Sequence, residues 1–304
     1  MSTSRLMPAE VCAVIAAALN GSIGSLTRFG FHGGASHDQV AFWKCFLAFL
    51  AFLALLIFCL VNSAQRSVVL SLRYSWKSFL FLSFFGVFCL YFFETWAFQE
   101  ASIPLVSFLT YAAGGATIIL SSIFLKEQIG FYKITAFVAI IAGVYLIFLF
   151  DGGIEGSYLG ICLALLGGLG YAIFIFSSKL LEVGGGVAQL VWLFGFGSLY
   201  LAVPILHGGI QVPPVAALGT ILALVIFPTI GGFYFTTKAI EAGEASRVQV
   251  IETSDPLFST LFAFVIFGDK LGLIGSLGAA CIMVGLLLAL RRERGSTRQV
   301  ERSG

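Results

Sequence analysis

Apolar runs of about twenty residues follow one another along almost the whole chain, separated by short polar links, and this limits the possible folds more than any other feature. A helix rises about 1.5 Å per residue and the hydrocarbon core of a bilayer is about 30 Å thick, so each run is long enough to cross it. Ten spans are predicted: Pro8 to Phe29, Gln39 to Val61, Lys77 to Phe98, Ser102 to Phe124, Phe131 to Phe150, Tyr158 to Lys179, Val187 to Leu206, Ala216 to Ala239, Ala245 to Phe267 and Gly272 to Leu290. Only 11% of the 304 residues are charged and 59% are apolar, whereas soluble domains are about 25% charged. An all-α integral membrane protein follows, with the lipid bilayer as solvent. The net charge of +2 offers no basic excess for nucleic acid. Six cysteines (Cys12, Cys45, Cys59, Cys89, Cys162 and Cys281) lie in apolar runs without a CxxC pair and read as packing residues. No metal or cofactor is expected.

Basic residues resist translocation, so their distribution predicts orientation. Fourteen of the 17 Lys and Arg fall on the N-terminal side, including five in the tail 291–304, and only Arg28, Lys44 and Lys270 fall on the other. Both termini are therefore expected in the cytoplasm, in a multi-pass cell (inner) membrane protein, with the acidic loop 151–156 outside. The first span contains Asn20, Gly21 and Ser22 after its apolar stretch and resembles a signal peptide. Cleavage is not expected, because it would remove the counterpart of the sixth span.

A shift of 142 residues places Ala97 on Ala239, Val106 on Val248, Gly130 on Gly272, Ile140 on Ile282 and Gly143 on Gly285, without a gap across three helices. The predicted organisation is two five-helix repeats, 8–150 and 156–290, followed by a basic cytoplasmic tail, 291–304. Five is odd, so the second repeat enters the membrane inverted, as in secondary transporters whose substrate sites lie between the halves.

The duplicated order of a helix-end alanine (Ala97, Ala239), an acidic turn (LKEQIG from Leu125, FGDKLG from Phe267) and a Gly-centred helix (AIIAGVYL from Ala139, CIMVGLLL from Cys281) resembles the drug/metabolite transporter superfamily in its EamA-like ten-helix form. Pro256 matches the proline usual in the ninth span, while its repeat mate is Gly114 rather than the usual proline. Lys44 resembles the basic residue often found in the second span. The overall pattern is most similar to the amino-acid and methyl-viologen exporter branch. The resemblance implies export of small metabolites by alternating access.

Polar residues inside spans mark the candidate pathway, because an intramembrane charge costs at least about 2.5 kcal/mol on insertion scales and usually faces a bundle interior. Gln249, Glu252, Asp255 and Ser259 share one helical face of the ninth span, and Ser107, Thr110, Gly114, Thr117 and Ser121 share one face of the fourth. Glu94 and Lys44, on neighbouring spans, are read either as an ion pair or as a site for the charged ends of a zwitterion or an outer gate. Tyr91, Tyr111 and Tyr171, with Asn20 and Trp96, complete the candidate pathway; aromatic rings beside carboxylates suit aromatic or cationic solutes. Lys179, Lys238 and Arg28 read as snorkelling side chains. Pro228, Gly232 and Pro256 are candidate hinges at predicted kinks. Glycines 167, 168 and 170, with 195 and 197, are expected to permit close helix packing.

The sequence contains no HExxH, GxSxG, Walker A or GxGxxG motif, and its three histidines map to outer loops, so an intramembrane enzyme is disfavoured. A channel lacks a filter-like run. The expected function is secondary export of small organic metabolites, including aromatic amino acids and aromatic or cationic compounds, with carboxylates that permit proton coupling. The alternative is a lipid or lipid-linked sugar flippase of the same fold.

Overall fold

A computed structural model describes residues 7–61, 72–150, 157–207, 211–267 and 272–290. Arg5, Arg66, the acidic loop 151–156, Asp269 and Lys270 of the second acidic turn, and the tail 291–304 lie outside the described residues. Regular structure among the described residues is helical. The first span comprises α1 (Ala9–Asn20) and α2 (Ile23–His32), and α3 (His37–Val61) follows. The third runs from α4 (Trp76–Ser83) through a π-helical stretch (Phe84–Glu94) into α5 (Thr95–Glu100). The fourth is split into α6 (Ile103–Ala113) and α7 (Gly115–Phe124), followed by α8 (Phe131–Phe150), α9 (Tyr158–Leu180) and α10 (Val187–His207). The eighth joins α11 (Val215–Leu224), a second π-helical stretch (Val225–Gly232) and α12 (Phe233–Ala242), and the ninth joins α13 (Ala245–Glu252) and α14 (Asp255–Phe267) before α15 (Leu273–Leu290).

Among the described residues, eight stretches are long and apolar enough to cross a membrane: Ala9–His32, His37–Ile57, Trp76–Glu100, Leu105–Phe124, Tyr158–Leu180, Val187–Leu206, Val215–Ala242 and Leu273–Leu290. Phe131–Ile147 is a shorter apolar helix. The expected ninth span differs, because a turn at Thr253–Ser254 divides it and its first part is the polar ASRVQVIE. This is a multi-pass membrane protein.

Kinks were expected at Pro228, Gly232 and Pro256, and local chemistry interrupts the helices at further points. At the first break the Ser22 hydroxyl donates to the Leu19 carbonyl at 2.7 Å; at the ninth-span break Thr253 and Ser254 donate to the Gln249 and Ile251 carbonyls at 2.7 and 2.6 Å. Such back-bonding competes with the helical ladder and bends it. The fourth span turns at Gly114, whose N–H donates to Tyr111 O at 3.0 Å. Pro228 lies inside the second π-helical stretch, where the wider ladder accommodates the missing donor. Pro256 does not interrupt a helix: it is the second residue of α14, where a missing N–H has no cost.

Packing repeats across the two halves. Helix α9 packs on the first π-helical stretch and on α6, while α1 packs on the second π-helical stretch and on α13; α3 meets α10, and α8 meets α15. At the last crossing a Cβ on Gly143 would lie 2.5 Å from the Gly278 carbonyl oxygen, and one on Gly285 would lie 2.8 Å from the Ala136 carbonyl oxygen. The 142-residue shift carries Gly143 to Gly285 and Ala136 to Gly278, so it exchanges these two contacts. Likewise, the first π-helical stretch shifts to 226–236 and overlaps the second. Helix α9 approaches its neighbours through glycine as expected: a Cβ on Gly170 would lie 2.6 Å from Cys89 Cβ.

Side chains at the α8–α15 crossing have no room to relax against backbone. Gly143→Val is expected to lower the thermal unfolding midpoint in detergent, at an overpacking cost of about 1–3 kcal/mol. Gly219→Ala, inside α11 where a Cβ meets nothing within 4 Å, should not lower the midpoint and should raise it slightly through helix propensity.

Candidate functional site

The buried stripe of α3 includes Val40, Ala41, Cys45, Ala48 and Phe52, and Lys44 lies on it with only 2% of its surface exposed. Its ammonium sits 4.1 Å from the Tyr91 ring centroid and donates to Thr95 Oγ1 at 3.2 Å. Both partners are on the third span, one turn apart. Glu94 lies between them in sequence and is 7% exposed, yet no ion pair within 4 Å joins it to Lys44 among the described residues. The ammonium has taken a hydroxyl and an aromatic face instead.

Tyr91 also meets Phe233 edge-on, with centroids 5.7 Å apart. Phe233 is the hub of an aromatic bed: its ring lies 5.3 Å from Phe194, 5.7 Å from Phe174 and 6.3 Å from Tyr171. The Tyr91 hydroxyl reaches Thr229 in the second π-helical stretch.

The ninth span brings its polar face to the same centre. Glu252 is 1% exposed and accepts from the Tyr171 hydroxyl at 2.5 Å on one oxygen and from Thr236 Oγ1 at 2.7 Å on the other. Burying a carboxylate is costly unless donors replace its water, and here each oxygen has one. Buried Asp255 faces the Tyr111 hydroxyl. Gln249 Oε1 accepts from Thr117 at 3.1 Å, and its amide nitrogen occupies the space where a Cβ on Gly114 would stand. The glycine at the repeat position of Pro256 therefore leaves room for the Gln249 side chain at this crossing of α13 on the fourth span.

Most of the sequence candidates meet here: Lys44, Tyr91, Glu94, Tyr111, Tyr171, Gln249, Glu252 and Asp255. Thr110 instead donates to the Ala164 carbonyl at 3.3 Å and joins α6 to α9. Asn20 presents its amide oxygen to Gly232, so that glycine provides a gap for the α1 side chain. Trp96 is elsewhere, stacked on His37 at 4.9 Å and 8°. The residues expected to snorkel make specific bonds: Lys179 donates to Ile240 O at 3.2 Å, Lys238 pairs with Glu241 at 2.7 Å, and Arg28 donates to Ala101 O at 3.0 Å. Sequence reasoning missed Thr95, Phe194, Phe233 and Thr236. The repeat register held part of that signal, since it carries Tyr91 to Phe233 and Glu94 to Thr236.

The end of the bundle at the α13 N-terminus is closed by polar bonds between the halves. Glu127 accepts from the Ala245 and Ser246 N–H groups at 2.9 and 3.0 Å and from the Ser246 hydroxyl, capping α13. Lys133 donates to Ser246 Oγ at 3.0 Å and pairs with Glu244 at 2.7 Å, while Arg247 pairs with Glu10 at 3.0 Å. At the opposite end, Trp43 Nε1 donates to Gln211 O at 3.1 Å and Ser157 N to Glu100 O at 3.1 Å.

Removing a donor from Glu252 leaves a buried carboxylate oxygen bare. Tyr171→Phe and Thr236→Val are each expected to destabilise the protein by about 1–3 kcal/mol. In a double-mutant cycle with Glu252→Gln, read by thermal unfolding in detergent, the Tyr171→Phe effect should shrink; full additivity would show that the contact has no energetic weight.

The chain matches the EamA-like transporter family twice, over residues 7–149 and 158–291. An uncharacterized transporter of Clostridium kluyveri is 27% identical over 200 residues, 63% of this chain and 64% of that protein, so the match spans just under two thirds of that relative. Another uncharacterized transporter, from Archaeoglobus fulgidus, is 26% identical over 234 residues, 74% of this chain and 82% of that protein. A protein of known crystal structure shares the fold with a TM-score of 0.76 at 17% identity, covering 93% of this chain and 96% of its own. Matched across both halves, the chain belongs to the EamA-like transporter family.

Proposed function

We propose that this protein is a secondary transporter that exports small organic metabolites, amino acids with aromatic side chains and related aromatic or cationic compounds among them, as in the amino-acid and methyl-viologen exporter branch. Ten spans form two inverted repeats, 8–150 and 156–290, and the basic tail 291–304 and both termini lie on the cytoplasmic face of the cell (inner) membrane. The solute binds between the repeats, and their rocking opens the site to one face at a time. Membership of a transporter family supports transport over catalysis.

One observation carries the location of the site. Tyr91 and Phe233 are equivalent under the repeat register and touch each other, so their contact marks the axis between the halves. Around it stand one buried ammonium, Lys44, and three buried carboxylates, Glu94, Glu252 and Asp255. Polar groups are this costly in a membrane interior that such a cluster is retained for function. The exchanged crossings of α8 with α15 support the inverted arrangement. The helix breaks beside Asn20, Gly114 and Glu252, the π-helical stretch containing Pro228 and Gly232, and the first turn of α14 with Pro256 are the candidate hinges around the site.

Purified protein in liposomes should move radiolabelled aromatic amino acids above the rate of empty vesicles. An imposed proton gradient should change the initial rate, since the buried carboxylates provide sites for coupled protons. Absence of flux for every amino acid and organic cation tried would remove the substrate assignment.

A further inference from the structure

The three buried carboxylates of the centre are not equivalent, and the difference follows from the repeat. The 142-residue shift carries Glu94 to Thr236 and Thr110 to Glu252, so each half bears one carboxylate and one threonine at related positions, in exchanged order. In the second half the pair closes on itself: Thr236 donates to Glu252 at 2.7 Å, and Tyr171 supplies the second donor. In the first half it does not, because the Thr110 hydroxyl is turned to the Ala164 carbonyl. Among the described residues Glu94 accepts no hydrogen bond and has no cation within 4 Å, although it is 93% buried. Gly167 of α9 lies against its backbone, with a Cβ there 3.2 Å from Glu94 N, so its main chain is held firmly. Its carboxylate lies close enough to Lys44, Tyr91, Tyr111 and Asp255 to interact with each of them electrostatically.

We infer that Glu94 is the binding group for a solute's ammonium, held between this carboxylate and the aromatic faces of Tyr91 and Phe233, and that Glu252 is a positioning residue that never touches solute. A largely buried carboxylate to which no described residue donates is open to a ligand, and an alkylammonium supplies both a charge and N–H donors. The neighbouring rings favour that cation and accept an aromatic substituent attached to it. Lys44 is held by Thr95 and Tyr91, so it attracts Glu94 from beyond 4 Å and leaves the carboxylate without an N–H donor. The ligand class is therefore an arylalkylamine, with or without a carboxylate. The inference rests on the transporter reading for its physiological meaning, yet its test measures binding alone.

The probe is phenethylamine, titrated into detergent-purified full-length protein and read by thermal shift and calorimetry. Wild type should bind it; Glu94→Gln should weaken binding about tenfold to a hundredfold, the loss of one charge-assisted contact. Glu94→Asp, which keeps the charge on a shorter stem, should recover part of the affinity. Glu252→Gln should lower the unliganded midpoint while retaining the increment produced by the amine. Unchanged affinity in Glu94→Gln, no binding to wild type, or loss of the increment in Glu252→Gln with retention in Glu94→Gln would overturn the inference. Amine binding without liposome flux would instead remove the amine from the transported substrates and leave this assignment intact.

Discussion

Tyr91 meets Phe233 with ring centroids 5.7 Å apart, and these two residues are each other's counterparts in the repeat. If the halves are related by a two-fold axis, as proposed, equivalent residues touch only on that axis, which would then pass through this contact. Lys44, seated over the Tyr91 ring, and the bed around Phe233 are arranged from that point. The same register exchanges the Gly143–Gly278 and Gly285–Ala136 crossings at the edge of the bundle.

The correspondence between the halves stops at the polar groups. Glu252 is satisfied by two hydroxyls, while Glu94 accepts no hydrogen bond among the described residues. The closure at the α13 N-terminus has the same asymmetry: Glu127 receives both N–H groups and the hydroxyl at Ala245 and Ser246, but the repeat mates of those residues are Ile103 and Pro104. Proline has neither a backbone donor nor a hydroxyl, so the other end lacks two of these donors. The two ends therefore differ in how firmly they join the halves.

The apolar runs, the repeat and most of the polar residues of the centre were legible in the sequence, because hydropathy and three-residue and four-residue spacing are local properties. The π-helical stretches were not, since Phe84–Glu94 is as apolar as any α-helical run. An ion pair between Lys44 and Glu94 was a reasonable expectation from opposite charges on adjacent spans. It fails because Thr95 and Tyr91, one residue after and three before Glu94, reach the ammonium first. Trp96 illustrates the same limit: two residues beyond Glu94 the helix has turned, and the ring stacks on His37 instead of facing the centre. Phe233 was hidden among 32 phenylalanines and became identifiable only through its partner in the repeat.

The central claim is that solute binds on the axis between the halves. A crystal structure with a brominated phenylalanine, phased at the bromine edge, tests this directly. The account predicts one anomalous peak beside the Tyr91 and Phe233 rings with the amino group at the Glu94 carboxylate. A peak confined to the lipid-facing surface or to the helix ends, with none at the centre, would contradict it.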